Sequence, residues 1–170
     1  MNLIFPVAGQ GSRFGGVFKP FLEIGDISFI EKAYEPFIKY ERHIDRLVFI
    51  FTRDQEVRHN VRNRLVEMFE GKNVEAVIIE KPTHGPLETI QEALRLSNIS
   101  GPSIVCDCDH SLNVDPIFEV IEDSYDCLIP TWSIGQDEYS NWSKVLHDDK
   151  GIHFICEKEH VSSESYHVDG

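Results

Sequence analysis

The segment NLIFPVAGQGSRFGGVFKP (residues 2–20) decides the reading of the whole chain. Its first seven residues form a short apolar run that stops at Gly9, the pattern of a buried strand. Glycines follow at 9, 11, 15 and 16, interspersed with Arg13 and followed by Lys19, and no acidic residue occurs before Glu23. The chain as a whole carries 16 Lys+Arg against 29 Asp+Glu, a formal net charge of −13. An exclusively basic, glycine-rich loop at the head of so acidic a chain calls for a physical reason. Glycine lets the backbone turn sharply and approach a ligand without a Cβ in the way. Successive bare N–H groups form an anion-binding hollow. Arg13 adds a planar fork for phosphate oxygens and Lys19 a compact point charge. Together these read as a triphosphate cradle, with a plain tight turn as the simpler alternative. The loop is not a G-x-x-x-x-G-K-[ST] motif, and no third glycine opens a helix in the dinucleotide pattern.

Beyond this strand, helices and strands alternate. ISFIEKAYEPFIKY reads as a helix that starts from a Ser28–Glu31 capping box and is kinked or ended by Pro36. DRLVFIF (residues 45–51) is a second buried strand, and Thr52 with Gln55 caps a helix running to about Glu70, ended by Gly71. VEAVII (74–79) is a third strand, followed by the loop EKPTHGP and a helix over about 87–96. PSIVCD (102–107) is a fourth strand, Asp115 caps a short helix with Pro116 at its first position, and YDCLIPT is a fifth strand. SKVLH and IHFIC flank DDKG as a hairpin. Alternation of this kind predicts an α/β fold with a mostly parallel, Rossmann-like sheet, helices on both faces and a C-terminal β-hairpin. Ligands in such sheets bind beyond the carboxyl ends of the strands, where the loops 9–19, 80–86 and 107–110 fall.

At 170 residues, 41% of them hydrophobic, the chain is long enough for one domain with a substantial core. The net charge argues against nucleic acid as a partner, because such binding needs a basic surface to release counterions. No apolar run approaches the roughly 20 residues of a membrane span. The N-terminus has no signal-peptide pattern and the four cysteines form no C-x-x-C pair, so reduced thiols in the cytoplasm are expected. From residue 99 onward there are three basic residues and fifteen acidic ones. Most read as a solvated surface that aids solubility.

AGQGSRF followed by KPFLEIG is similar to the signature of the sugar-phosphate nucleotidyltransferase (pyrophosphorylase) family, A-G-x-G-S/T-R, a spacer and K-P, although the spacer here is short. The resemblance implies the nucleotide-diphospho-sugar transferase type of fold. It places a nucleoside triphosphate on Ala8, Gly9, Gly11, Ser12, Arg13 and Lys19, with Arg13 and Lys19 as the catalytic pair that stabilises departing pyrophosphate.

In CDCDHSL, strand alternation sends the carboxylates of Asp107 and Asp109 to one side. Oxygen donors at a strand end suit Mg²⁺, with a capping or turn role as the plainer alternative. The family's metal aspartate maps onto Asp109. Asp107 stands where relatives carry Asn or Gly, and His110 reads as a supporting or structural residue because imidazole is a poor Mg²⁺ partner. EKPTHGPLETIQEAL resembles the family's base-recognition segment, with Gly85 leaving room for a nucleobase and Glu80, Lys81 or Thr83 reading its edge. The tail resembles a W-S-x-V hairpin followed by an E-K pair, which implies sugar-phosphate binding by Glu157, Lys158 and Gly170. A surface ion pair is the alternative for Glu157 and Lys158.

The expectation is a single nucleotidyltransferase-like domain over 1–170 that lacks the C-terminal part of the family fold, where relatives carry a second metal-binding aspartate. Its activity would be nucleotidyl transfer from a triphosphate to a sugar 1-phosphate or similar phosphorylated acceptor. Self-association is left open. A D-x-D glycosyltransferase and a non-catalytic nucleotide-binding module are the rival readings.

Overall fold

The computed structural model describes residues 1–11, 15–121, 125–133, 143–149, 151–157 and 167–169, with backbone alone from 157 onward. It divides into two compact units, Met1–Phe118 and Glu119–Gly170.

In the first unit the elements run β1 (Asn2–Pro6), a two-stranded ribbon of β2 (Glu23–Ile24) and β3 (Ile27–Ser28), α1 (Phe29–Tyr34), β4 (Arg46–Thr52), α2 (Arg53–His59), α3 (Val61–Met68), β5 (Val74–Ile79), α4 (Pro86–Leu96), β6 (Ser103–Val105) and α5 (Asp115–Glu119). The main sheet has the order β5-β4-β1-β6, and every pairing in it is parallel. Alternate side chains go to opposite faces. Leu3 and Phe5 of β1, with Leu47, Phe49 and Phe51 of β4, pack against Ile30, Ala33, Val61 and Leu65 of α1 and α3. Ile4, Val48, Ile50, Val77 and Ile79 meet Ala93 of α4 on the other face. Helices therefore cover both faces, as the alternating pattern predicts. Burying each large apolar side chain is worth about 1.5–3 kcal/mol. For α1, only six residues long, this packing outweighs its weak intrinsic tendency to form.

Both expected capping boxes are present. Glu31 N–H donates to Ser28 Oγ at 3.3 Å, and Ser28 N–H donates to Glu31 Oε2 at 3.0 Å. Gln55 N–H donates to Thr52 Oγ1 at 3.2 Å, and Thr52 N–H donates to Gln55 Oε1 at 2.8 Å. Pro36 ends α1 as expected, and the chain continues as a tighter 3₁₀ helix over Glu35–His43.

Three expectations are corrected. The helix after Thr52 is not continuous. Asn60, with φ 49° and ψ 48°, breaks it into α2 and α3, an αL conformation that asparagine tolerates better than most residues. The break re-aims α3 so that Val61 and Leu65 both reach the core. Asp115 is the first residue of α5 rather than its cap. Its carboxylate takes Lys39 at 2.5 Å and the Tyr40 hydroxyl at 3.2 Å, while Asn113 Oδ1 accepts the Asp115 N–H. Residues 125–131 form no strand, and Leu128 and Ile129 are exposed. An apolar run becomes a strand only where a neighbour completes its ladder, and the run itself carries no information about the neighbour.

In the second unit β7 (Ser143–Asp148) and β8 (Gly151–Glu157) form the expected antiparallel hairpin, with a register shift between Leu146 and His147. β9 (His167–Asp169) pairs with the other edge of β7.

Ser28→Ala should lower the unfolding free energy in urea by about 1 kcal/mol through loss of the cap. Asn60→Gly should be nearly neutral, whereas Asn60→Val should cost about 1–2 kcal/mol because a β-branched residue resists the αL region. A second test concerns pH. Lys72, first, and the Tyr34 hydroxyl, second, hold the Glu41 carboxyl below its ordinary range. A depressed carboxyl stabilises the fold above the unfolded-state pKa, and that contribution is lost as pH falls through the folded one. Glu41→Gln should therefore flatten the acid limb of the stability–pH curve and leave its shape around neutral pH unchanged.

Candidate functional site

In the strand order β5-β4-β1-β6 the chain winds outward from β1 in one direction through β4 and β5, then crosses back to place β6 on the other side. The loops that leave the carboxyl ends of β1 and β6 therefore part, and a crevice opens between them.

The loop after β1 is fixed at several points. Val7 N–H donates to Ile50 O at 2.8 Å, which extends the sheet. Gln55, already committed to the cap of α2, donates from Nε2 to Gly9 O at 2.8 Å. Gly11 has φ +59°, and a Cβ built on it would lie 2.2 Å from the Val17 carbonyl oxygen. Gly16 N–H donates to Gly11 O at 3.1 Å and pinches the loop shut. Phe18 is buried and packs edge-on against Phe21 and stacked on His59. Pro20, also buried, follows in a single 3₁₀ turn, Lys19–Phe21. Lys19 is thus held by anchored neighbours on both sides.

The loop after β6 begins with Cys106 N–H donating to Ile4 O at 2.9 Å. Cys106 and Cys108 are half-buried against the hydrophobic core, while Asp107 and Asp109, the residue after each, are exposed in the cleft wall. Burial, then the adjacent aspartates, push the Cys106 thiol up to about 12. Burial and Asp109 do the same to the Cys108 thiol, also to about 12, against a smaller opposing pull from Lys19. Neither is a free thiolate nucleophile at neutral pH.

Lys19 Nζ donates to Asp109 Oδ2, an ion pair that joins the two loops across the crevice. Donor atoms of Asp107, Asp109 and His110 lie within 4.8 Å of one another. Partial desolvation, and then the neighbouring Asp109 charge, hold the Asp107 carboxyl above its ordinary range, with His110 and Lys19 pulling it back. Carboxylates this close repel one another unless cations stand between them. The donor chemistry therefore fits a divalent cation, to which Asp109 and Asp107 would offer oxygen.

The third loop follows β5. Thr83 Oγ1 and Thr89 N–H both donate to Gly85 O, at 3.0 and 3.1 Å. Gly85 is extended, at φ −178°, and open space lies where a Cβ would be. A cleft of about 380 Å³ runs between the three loops, with Ala8, Gly9, Gly11, Lys19, Gly85 and Asp109 in its walls. These are the sequence-expected residues of the first 118 positions, apart from Ser12 and Arg13, which lie outside the described residues. Lys158 and Gly170 also lie outside them, and only the backbone of Glu157, the last residue of β8, is described. Glu80, one of three residues expected to read a base edge, is committed to Arg53 at 2.8 Å. Sequence reasoning did not assign Gln55 its hold on Gly9, nor Phe18 its anchoring of Lys19. Such roles leave no signal in spacing, because the partners are far apart in the chain.

A family model, the MobA-like NTP transferase domain, matches residues 4–149. The chain belongs to this family. It is therefore an enzyme of the nucleotidyltransferase type. Solved structures agree on the fold. The nucleoside-diphosphate-sugar pyrophosphorylase of Vibrio cholerae is similar at a TM-score of 0.72 and 21% identity, over 98% of this chain and 71% of that one. The inositol-1-phosphate CTP transferase of T. maritima gives 0.68 and 14%, over 99% and 66%. HddC of Yersinia pseudotuberculosis gives 0.67 and 18%, over 98% and 72%, and a second structure of it is a complex with GMP-PN. This chain thus spans about two thirds to seven tenths of the length of these relatives. Comparison with curated proteins gives no sequence match.

Gly11→Ala should disrupt the first loop while leaving the sheet intact. The αL strain alone is about 1–2 kcal/mol, and the Cβ clash with Val17 adds to it. Far-UV circular dichroism should be unchanged, and triphosphate affinity measured by calorimetry should fall at least about tenfold, the equivalent of 1.4 kcal/mol.

Proposed function

We propose that the protein transfers a nucleotidyl group from a nucleoside triphosphate to a sugar 1-phosphate or a similar phosphorylated acceptor, releasing pyrophosphate. The observation that carries this reading is the Lys19–Asp109 contact across the crevice. It sets a phosphate-binding cation directly against a cation-binding carboxylate, beside a glycine loop that admits close backbone approach.

An oxygen of the acceptor phosphate attacks the α-phosphorus. The bond from that phosphorus to the bridging oxygen breaks, and pyrophosphate carries the electrons away. The acceptor is already anionic at neutral pH, so no general base and no covalent enzyme intermediate are needed. The protein's work is alignment and charge stabilisation. Backbone groups of Ala8, Gly9, Gly11 and Ser12 would hold the phosphate chain. Arg13 and Lys19 would neutralise the leaving pyrophosphate, Lys19 exchanging Asp109 for phosphate oxygens. Gly85 would leave one wall open for the base. Glu157, Lys158 and Gly170 are assigned to the acceptor on the family resemblance. Asp109, with Asp107 beside it, would hold Mg²⁺, which when bound supplies charge neutralisation at the phosphates.

The family match favours this chemistry over glycosyl transfer. A nucleotide-sugar donor has no departing pyrophosphate for Arg13 and Lys19 to meet. The four free cysteines are consistent with a reducing, cytoplasmic setting.

The test is pyrophosphate release from each of the four ribonucleoside triphosphates with sugar, polyol and choline phosphates as acceptors. One pair should give turnover. On that pair Lys19→Ala should reduce kcat about a hundredfold, on the order of 3 kcal/mol, with the thermal transition still cooperative. Wild-type turnover by Lys19→Ala would remove the lysine from the mechanism.

A further inference from the structure

A capping box accepts either glutamate or glutamine at its third helical position, and the one that opens α2 holds glutamine. We infer that Gln55 is a positioning residue for the triphosphate: its buried side-chain amide fixes the Gly9–Gln10 peptide of the first loop, and with it the direction of the backbone groups that meet phosphate. The inference rests on the reading of that loop as a triphosphate cradle given above.

Gln55 is buried, and both ends of its amide are engaged. Oε1 accepts the Thr52 N–H at 2.8 Å, which is the capping function. Nε2 donates to Gly9 O at 2.8 Å, on a segment 46 residues earlier in the chain. A glutamate would supply the first contact equally well. It would not supply the second, because an ionised carboxylate only accepts hydrogen bonds and would set one oxygen against another. Gly9, and not the helix, therefore accounts for the amide at position 55.

A trans peptide is planar, with its C=O and N–H on opposite sides. Holding the Gly9 carbonyl thus also directs the Gln10 N–H. Gly9 stands in the wall of the cleft and in that of a smaller cavity of about 260 Å³, whereas Gln55 lines only the smaller one. The carbonyl is tied on the side of Gln55, and the Gln10 N–H is turned away from it. No described neighbour lies within 4 Å of a Cβ built on Gly9, and its φ is outside the left-handed region. Neither packing nor backbone conformation calls for glycine at this position, whereas close approach by a ligand does.

The test compares the affinity of the full chain for each of the four ribonucleoside triphosphates by calorimetry, at about pH 9 and about pH 6, with every variant referred to wild type at the same pH. On the triphosphate that wild type binds tightest, Gln55→Glu should bind at least about tenfold more weakly at the higher pH, because a buried acceptor then faces another acceptor. Burial raises the pKa of a carboxyl, so at the lower pH the introduced group should protonate and donate to Gly9 O. The deficit should then shrink at least about threefold. Among the described residues, the charged and titratable side chains that share the cavity are Asp54, Arg58 and His59, with Arg58 paired to Asp54 at 2.9 Å. All three are present in every variant and cancel in the ratio. Gln55→Met, similar in length but unable to donate at any pH, should show the full deficit at both and serves if the glutamate variant does not fold. Thr52→Ala loses the hydroxyl of the cap but keeps the backbone N–H that holds Gln55, so it should lower the thermal transition and bind within about twofold of wild type. Wild-type affinity in Gln55→Met, a deficit in Gln55→Glu that does not change with pH, or an equal deficit in Thr52→Ala would overturn the inference and leave the cradle reading standing. No triphosphate binding by wild type would overturn both.

Discussion

Strand β1 has neighbours on both edges and helices over both faces. Leu3 pairs in register with Leu47 of β4 on one side and Ile104 of β6 on the other. Leu3 and Phe5 go to one core and Ile4 to the other. A strand confined in this way cannot slip by one residue without exchanging its two sets of side chains between faces. Its carboxyl end is therefore a fixed point, and the glycine loop that leaves it starts from a defined place and direction.

Everything at the crevice inherits that definition. The loop is tied back to α2 by Gln55 and to the core by Phe18, so Lys19 is positioned by rigid neighbours rather than by its own flexible stem. The opposing loop grows from β6, whose Val105 is paired with Ile4. The alternation of β6 continues past the last strand residue, which sends Cys106 and Cys108 inward and Asp107 and Asp109 into the cleft. The same parity that half-buries the thiols exposes the carboxylates. A nucleotidyl transfer in which the substrates carry all the reacting groups asks the protein for placed charge and little else, and on the proposed reading this arrangement would supply it.

The charge of the chain takes on a local meaning in this light. With a net of −13, the molecule as a whole repels polyphosphates. On the proposed reading an anionic substrate is drawn to the first loop, where Arg13 and Lys19 stand among glycines and no acidic residue precedes Glu23. On the same reading the carboxylates facing it would serve binding once a cation lay between them and the phosphates. Lys19 partly meets that need in the structure by pairing with Asp109.

Much of the fold was legible in advance because its causes are local. The capping boxes at Ser28 and Thr52, the end of α1 at Pro36, and the apolar runs of β1, β4 and β5 all depend on residues within a few positions of one another. The errors fell where the cause was distant. Asn60 breaks a helix because Val61 and Leu65 must reach the sheet. Asp115 pairs with Lys39 and Tyr40, some 75 residues earlier, instead of capping its own helix. Residues 125–131 stay out of a strand although their composition suits one. The sequence by itself determined the residue types, the order of the loops and the parity that turns Asp107 and Asp109 together. Only tertiary structure decided that Lys19 meets Asp109 and that Gln55 holds Gly9. These are contacts between side chains brought together by sheet order, and sheet order is set by burial summed over the whole chain rather than by any segment of it.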